Sequence, residues 1–175
     1  MSSDIIDEEE RVADEQQVET AEIIRGNIRE LCGLNERVIA LDRSATVDDA
    51  VNAMIQNHIG TVLIVEGGKL YGMFSERDVL TRVAAQGQVP AETPIVDVMT
   101  PAPECLSFDD EIVFALNKMV IGGFRHVPIL DENGTPIAVV SMRDVMAHIV
   151  SFYPCEVFNL PPEPAVGRAG QREGA

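Results

Sequence analysis

Two short runs organise this chain: GMFSERD at residues 72–78 and AVVSMRD at residues 138–144. Each is a small residue and two apolar residues followed by Ser, and each ends on Arg-Asp. Ser75, Arg77 and Asp78 recur as Ser141, Arg143 and Asp144. A polar cluster kept twice at the end of an apolar run signals an internal duplication, so the flanks of the two runs are compared before any secondary structure is assigned.

The flanks repeat as well. TVDDAVNAMIQN (46–57) aligns with EIVFALNKMVIG (111–122). Val47, Ala50, Val51, Met54 and Ile55 match Ile112, Ala115, Leu116, Met119 and Val120, the i, i+3, i+4, i+7, i+8 spacing of one helix face. Each helix leads into a hairpin. TVLIVEGGKLYGMFS turns at Gly67-Gly68, and HVPILDENGTPIAVVS turns at Asn133-Gly134, a strong hairpin signal between apolar runs. A second one-faced helix follows in each copy, through Val79, Leu80, Val83 and Ala84, and through Val145, Met146, Ile149 and Val150. Short strands, RVIALD (37–42) and PECLSF (103–108), precede the units. The chain therefore reads as α/β, two β-α-β-β-α repeats over 37–86 and 100–152. A repeat of this size buries little surface alone, which predicts that the two pack sheet to sheet around one shared core.

Outside the repeats, residues 87–99 contain Pro90 and Pro94 and read as a linker. Residues 21–36, with AEIIRGNIRELCGL at their centre, predict an amphipathic helix weakened by Gly26 and Gly33. The acidic arm 1–20 and the extension 153–175 read as largely disordered.

Composition bounds the function. Of 175 residues, 46% are hydrophobic and 5% aromatic, with no Trp, so the core is aliphatic. No apolar run is long enough to span a membrane, and the N-terminus lacks a signal-peptide pattern, so a soluble cytoplasmic protein is expected. The formal net charge is −16, and residues 1–22 carry half of it. Such a surface repels phosphate backbones and argues against nucleic acid as a partner. It leaves room for a small nucleotide beside a few local cations, because salt screens distant charge. Cys32, Cys105 and Cys155 show neither disulfide nor zinc spacing and read as ordinary thiols in a reducing compartment. The chain has no P-loop, no zinc-protease helix and no metal-ligand spacing among His58, His126 and His148, so no enzyme is expected. Cys105 and His126 carry no sign of proximity.

Ser-x-x-Asp admits two readings. The first is helix capping: Ser accepts from a free backbone N–H while Asp three residues on bonds back. The second is a ligand site, in which a helix start favours phosphate and a carboxylate accepts from the vicinal hydroxyls of a ribose. Spacing alone leaves both open.

The order of these features resembles a tandem pair of cystathionine-β-synthase (CBS) domains, a Bateman module. The resemblance rests on the two repeats, VMTP (98–101), FRHVPIL (124–130), SERDV and SMRDV, and covers roughly residues 35–152. It implies two repeats packed sheet to sheet about a pseudo-two-fold axis, with two clefts that bind adenosine derivatives: AMP, ADP, ATP or S-adenosylmethionine. It also implies that Asp78 and Asp144 hold ribose hydroxyls and that Ser75 and Ser141 lie near phosphate. Arg125 and His126 would meet phosphate, and Thr100 and Pro101 would line the adenine pocket. Gly60 and Thr61 stand where repeat two has Arg125-His126, so repeat one lacks a cation there. Arg77 and Arg143 are either phosphate contacts or solvated surface. Ala138, in place of Gly72, adds a methyl that restricts close backbone approach in repeat two, so the two sites are not expected to be equally competent. A regulatory module sensing an adenosyl compound and signalling to an unidentified protein, as a homodimer, is the expected function. The alternative is an interaction or dimerisation module with vestigial clefts. The acidic arm and FYPCEVFNLPP (152–162) are candidate docking elements, but the Phe, Tyr and Leu of the latter are expected instead to fold back on the body, since exposed apolar patches are uncommon.

Overall fold

The structure is a computed structural model that describes residues 25–31 and 38–152. The acidic arm, the extension 153–175, Cys32 and Cys155 lie outside the described residues. Six strands and five α-helical segments follow in chain order. Strand β1 is Ala40–Asp42, helix α1 Val47–Asn57, β2 Thr61–Glu66, β3 Lys69–Ser75 and α2 Glu76–Asp78. Helix α2 runs straight into a π-helical turn, Val79–Val83, and a 3-10 turn, Ala84–Gln86. Helix α3 is Ile95–Val98, β4 Thr100–Pro101, α4 Ile112–Gly122, β5 His126–Leu130, β6 Pro136–Ser141 and α5 Met142–Phe152. The first sheet has the order β1-β2-β3-β4, with β1 parallel to β2 and the other pairs antiparallel. Strands β5 and β6 form the second.

The duplication is borne out in detail. Gly67 and Gly68 take φ of 57° and 81°, the left-handed pair that a two-residue hairpin turn requires. In the second hairpin Gly134 has φ 78°, and Asp131 Oδ1 accepts from the Asn133 and Thr135 amides to fix the longer turn. Helix α1 starts on Thr46, whose amide donates to Asp49 Oδ2 at 2.9 Å in a capping box. The first long helix of each repeat ends on a left-handed residue, His58 (φ 54°) after α1 and Gly123 (φ 68°) after α4.

Two expectations change. The strand expected over 103–108 reduces to one parallel bridge, Leu106 to Ile129, in the place that β1 holds in repeat one. Ala102 at φ 42°, followed by Pro103, interrupts the extended run. Of the segment expected as an N-terminal helix, Arg25 is helical, Asn27 is extended (ψ 152°) and bridges Glu111, and a 3-10 turn, Ile28–Glu30, follows; residues 21–24 and 32–36 lie outside the described residues. The single shared core is instead two buried clusters, one per repeat.

Each cluster is completed from outside its own repeat. Ile28 and Leu31, which precede repeat one, are buried with Ile112, Met119, Val127 and Val145 of repeat two. Ile95, Val98 and Met99, from the segment read as a linker, are buried with Val47, Met54, Val62 and Phe74 of repeat one. The backbone contacts repeat too. Ile28 N donates to Asp110 O at 2.9 Å and Ile112 N to Gly26 O at 2.9 Å. Ile95 N donates to Ala45 O at 2.9 Å and Val47 N to Thr93 O at 3.0 Å. Strand β4 extends the exchange by pairing with β3. Gly72 serves this pairing, because a Cβ there would lie 2.4 Å from Met99 Sδ. The sheet faces away from the helices are covered as well. Leu63 alternates with Val62 and Ile64, lies on the opposite face and is still fully buried.

The helix faces are wider than these cores need. Ile55 and Val120, and Leu80 and Met146, occupy corresponding positions and are at least half exposed. No helix among the described residues is long and apolar enough to cross a membrane.

Ile28 and Ile95 are both completely buried. Ile28→Ala and Ile95→Ala are each expected to cost about 2–5 kcal/mol, as large-to-small core substitutions do. Urea denaturation checks this. A loss under about 1 kcal/mol for Ile28→Ala, the level of a peripheral contact, would contradict the exchanged packing.

Candidate functional site

Ser75 closes β3 and Ser141 closes β6, so both stand where an extended run becomes a helix. In repeat one the Ser75 amide and hydroxyl donate to Asp78 Oδ2 at 2.9 and 2.7 Å. In repeat two the Ser141 amide and hydroxyl donate to Asp144 Oδ2, both at 2.7 Å, and Asp144 N donates to Ser141 Oγ at 3.3 Å. The capping reading is thus correct for both. It occupies Oδ2 and leaves Oδ1 of each carboxylate to face something else. Helix starts are also pinned to the strands before them. Glu76 N donates to Gly60 O at 3.0 Å and Met142 N to Arg125 O at 2.9 Å.

Each carboxylate faces its own cavity between the repeats. One, of about 430 Å³, is lined by Ser75, Arg77 and Asp78 of repeat one and by Thr100, Phe124 and Arg125 beyond it. The other, an open cleft of about 1510 Å³, is lined by Ser141, Arg143 and Asp144 of repeat two and by Ile59, Gly60 and Thr61 of repeat one. Gly60, Glu76, Arg125 and His126 line both. A Cβ on Gly60 would lie 3.3 Å from Glu76 Oε2 and 3.7 Å from His126 Cε1, so the glycine keeps this waist open. Eleven of the twelve residues expected at the site line one cavity or both.

Pro101 is the exception. It is exposed, pairs with Gly72 in the sheet and lines neither cavity, whereas Ala102 and Pro103 line the smaller one. Gly72 and Ala138 also lie outside both linings, so that difference narrows neither cleft. Thr61 is buried and spends its hydroxyl on Phe74 O at 3.0 Å. Cys105 lines neither cavity, and its thiol donates to Pro103 O.

The cations differ in their engagements. Arg77 Nη1 donates to Gly123 O at 2.7 Å and so holds the end of α4. Arg82, which the duplicated run did not include, pairs with Asp78: Nε lies 3.2 Å from Oδ1, and Nη1 donates to Val98 O at 2.9 Å. The i, i+4 spacing of Asp78 and Arg82 is the signal that would have found it. Arg125 and Arg143 are exposed and have no side-chain hydrogen bond or ion pair among the described residues. Glu76 and Ala102, with its left-handed backbone, are further wall residues with no sequence signature.

His126 sits between the cavities. Burial, and then the charge of Arg125, pushes its pKa below the ordinary 6.5, and Asp144 and Glu76 only partly oppose this. The ring is therefore neutral near pH 7 and offers a ligand a hydrogen bond instead of a charge. A depressed folded pKa means that the unfolded chain takes up the proton first. Stability from this group is complete above pH 6.5 and is lost as pH falls through the folded pKa. Between about pH 7.5 and about pH 5.5, the wild type is expected to lose more stability than His126→Gln in paired denaturation curves. Parallel losses would contradict the assignment.

The comparisons fit this geometry. The CBS domain family model matches residues 28–85 and 95–151, so its two matches begin at the two exchanged isoleucines. The CBS domain-containing protein CBSCBSPB3 of Arabidopsis thaliana is 35% identical over 117 residues, 67% of this chain but 21% of that protein's length. The CBS domain protein PAE2072 of Pyrobaculum aerophilum, solved with AMP, is 24% identical with a TM-score of 0.64, covering 74% of this chain and 99% of that one. The CBS domain pair of MJ0100, solved with 5′-methylthioadenosine and S-adenosyl-L-methionine, is 20% identical with a TM-score of 0.66, covering 73% and 98%. Two domain matches that together span most of the chain, over a duplicated fold with a cleft at each Ser-x-x-Asp, establish that this protein belongs to the CBS-domain family and carries two of its domains in tandem.

Proposed function

We propose that the chain is a regulatory module that binds an adenosyl compound reversibly between its two repeats and passes the binding event to a partner protein. One observation carries this reading: the Asp78 and Asp144 carboxylates, each fixed by a capping Ser, stand on the walls of two inter-repeat cavities. A carboxylate oxygen turned to a cavity accepts hydrogen bonds from the two vicinal hydroxyls of a ribose. Arg125 and Arg143 supply positive charge for phosphate, and the aliphatic wall of Ile39, Ile59 and Val139 suits a flat base. The AMP and adenosyl ligands of the structural relatives are in keeping with this chemistry. Regulation then follows from placement. A ligand gripping both repeats favours whichever packing of the repeats it fits better, by the difference in its affinity for the two.

A second reading has its own observation. Ile55, Leu80, Val120, Ile121 and Met146 leave apolar helix surface exposed in the single chain. We propose that this surface serves association, homodimer formation first, with the clefts either occupied or vestigial. A role without catalysis goes with both readings, as does a location in the cytoplasm.

Ligand binding raises the melting temperature, because only the folded state has the clefts. At a concentration 100-fold above Kd the gain is about 2.7 kcal/mol. That corresponds to roughly 5–10 °C for a chain of this size. AMP, ATP, S-adenosylmethionine and NAD are the probes. At least one is expected to give such a shift, and the double variant Asp78→Ala/Asp144→Ala is expected to lose it. No shift with any probe, or an unchanged shift in the double variant, would overturn the ligand-binding reading.

A further inference from the structure

The two clefts are not equivalent. The positional match between repeats that pairs Asp78 with Asp144 also pairs Arg82 with His148. Arg82 turns back on Asp78 and holds Oδ1 at 3.2 Å, while the capping Ser holds Oδ2. The pair spans the start of the π-helical turn Val79–Val83 at i, i+4 spacing. Arg82 is fastened a second time by the Val98 carbonyl, at the end of α3. Oδ2 of Asp78 is thus hydrogen-bonded to the capping Ser, and Oδ1 is ion-paired with Arg82. In repeat two, His148 is buried and packs edge-on against Phe152 at 5.1 Å. It makes no bond to Asp144, whose Oδ1 has no hydrogen-bond partner among the described residues.

The cations divide the same way. In the Asp78 cavity Arg77 is spent on Gly123 O and Arg82 on Asp78, which leaves Arg125. In the Asp144 cleft Arg143 and Arg125 are both free of side-chain partners among the described residues. Arg125 lines both cavities, and a phosphate bound to it in one cleft withholds it from the other.

Building on the adenosyl-binding reading, we propose that Arg82 closes the Asp78 cleft to ribose, so that each chain binds a single phosphorylated nucleoside, in the Asp144 cleft. Arg82 is a specificity-determining residue on this account. It competes with ribose hydroxyls for Asp78 and selects which of two pseudo-equivalent sites is used. The same account explains why a charged residue of repeat one has a buried ring as its counterpart. A cleft that is to stay open cannot carry a cation one helical turn beyond its carboxylate.

Calorimetric titration of the full chain with AMP tests the assignment through its stoichiometry and its dependence on Asp144. The wild type is expected to bind one AMP per chain. Asp144→Ala is expected to weaken binding by about tenfold or more, as loss of a charged hydrogen-bond acceptor does. Arg82→Met keeps the apolar stem, frees Asp78 and is expected to raise the stoichiometry to two. Should Arg82→Met not fold, Arg82→His places in repeat one the residue type of repeat two and carries the same expectation. Two sites in the wild type, unchanged affinity in Asp144→Ala, or a folded Arg82 variant that stays at one site would overturn the proposal while leaving adenosyl binding intact. No heat with AMP in the wild type or any variant would overturn it together with the AMP form of that reading.

Discussion

Ile28 and Ile95 carry the architecture. Each is fully buried in the core of the repeat that it does not precede, and each is held there by paired backbone hydrogen bonds. A repeat of about 50 residues buries too little surface to be stable alone. Here each core borrows its missing layer from a segment that must cross to reach it. The crossing segments cannot be satisfied unless both repeats are folded and adjacent. The clefts are a consequence of this clasp. They lie where the end of one repeat's hairpin meets the start of the other's, and their walls are positioned by the same crossing chain, with Thr100 and Ala102 following directly on the buried Met99.

Capping and ligand binding, which compete as explanations of Ser-x-x-Asp, divide a single carboxylate between them. The box occupies Oδ2 and thereby aims Oδ1. The geometry is not distinctive by itself. Thr46 with Asp49 and Ser107 with Asp110 make the same bonds, at 2.9 and 2.6 Å from the backbone amides, and line neither cavity. What sets the pairs at 75–78 and 141–144 apart is placement at the end of a hairpin strand that reaches the contact between repeats. A local motif becomes a candidate receptor only through that nonlocal fact.

Most of the fold was legible from periodicity and duplication, because helix faces and hairpin turns are local properties. Gly67-Gly68 and Asn133-Gly134 marked their turns, and Val47, Ala50 and Met54 marked a core face. The exchange was not legible. Residues 87–99 carry prolines and read as a linker, yet Ile95 is among the most deeply buried side chains of the protein. Nothing local distinguishes an apolar residue that anchors another repeat from one that covers its own. The same limit explains the widened helix faces, where Leu80 and Met146 fit the pattern but remain exposed. At the site, eleven of the twelve expected residues line a cavity, and Pro101, paired with Gly72 in the sheet, does not. Arg82 was visible in principle from its spacing to Asp78. Its second anchor, the Val98 carbonyl, lies sixteen residues away and was not.

The inequality of the clefts turns the duplication from a redundancy into a division of labour. One copy of the cluster is closed on itself by Arg82 and Arg77 and ties the repeats together. The other keeps an unengaged carboxylate oxygen and unengaged guanidinium groups. A crystal structure of the full chain grown with AMP tests the central claim most directly, namely that the clasped repeats present a carboxylate to a nucleoside. The account predicts AMP in the open cleft, with its ribose hydroxyls at hydrogen-bonding distance, about 3 Å, from Asp144 Oδ1. AMP bound away from both clefts, or bound with its ribose touching neither carboxylate, would contradict it.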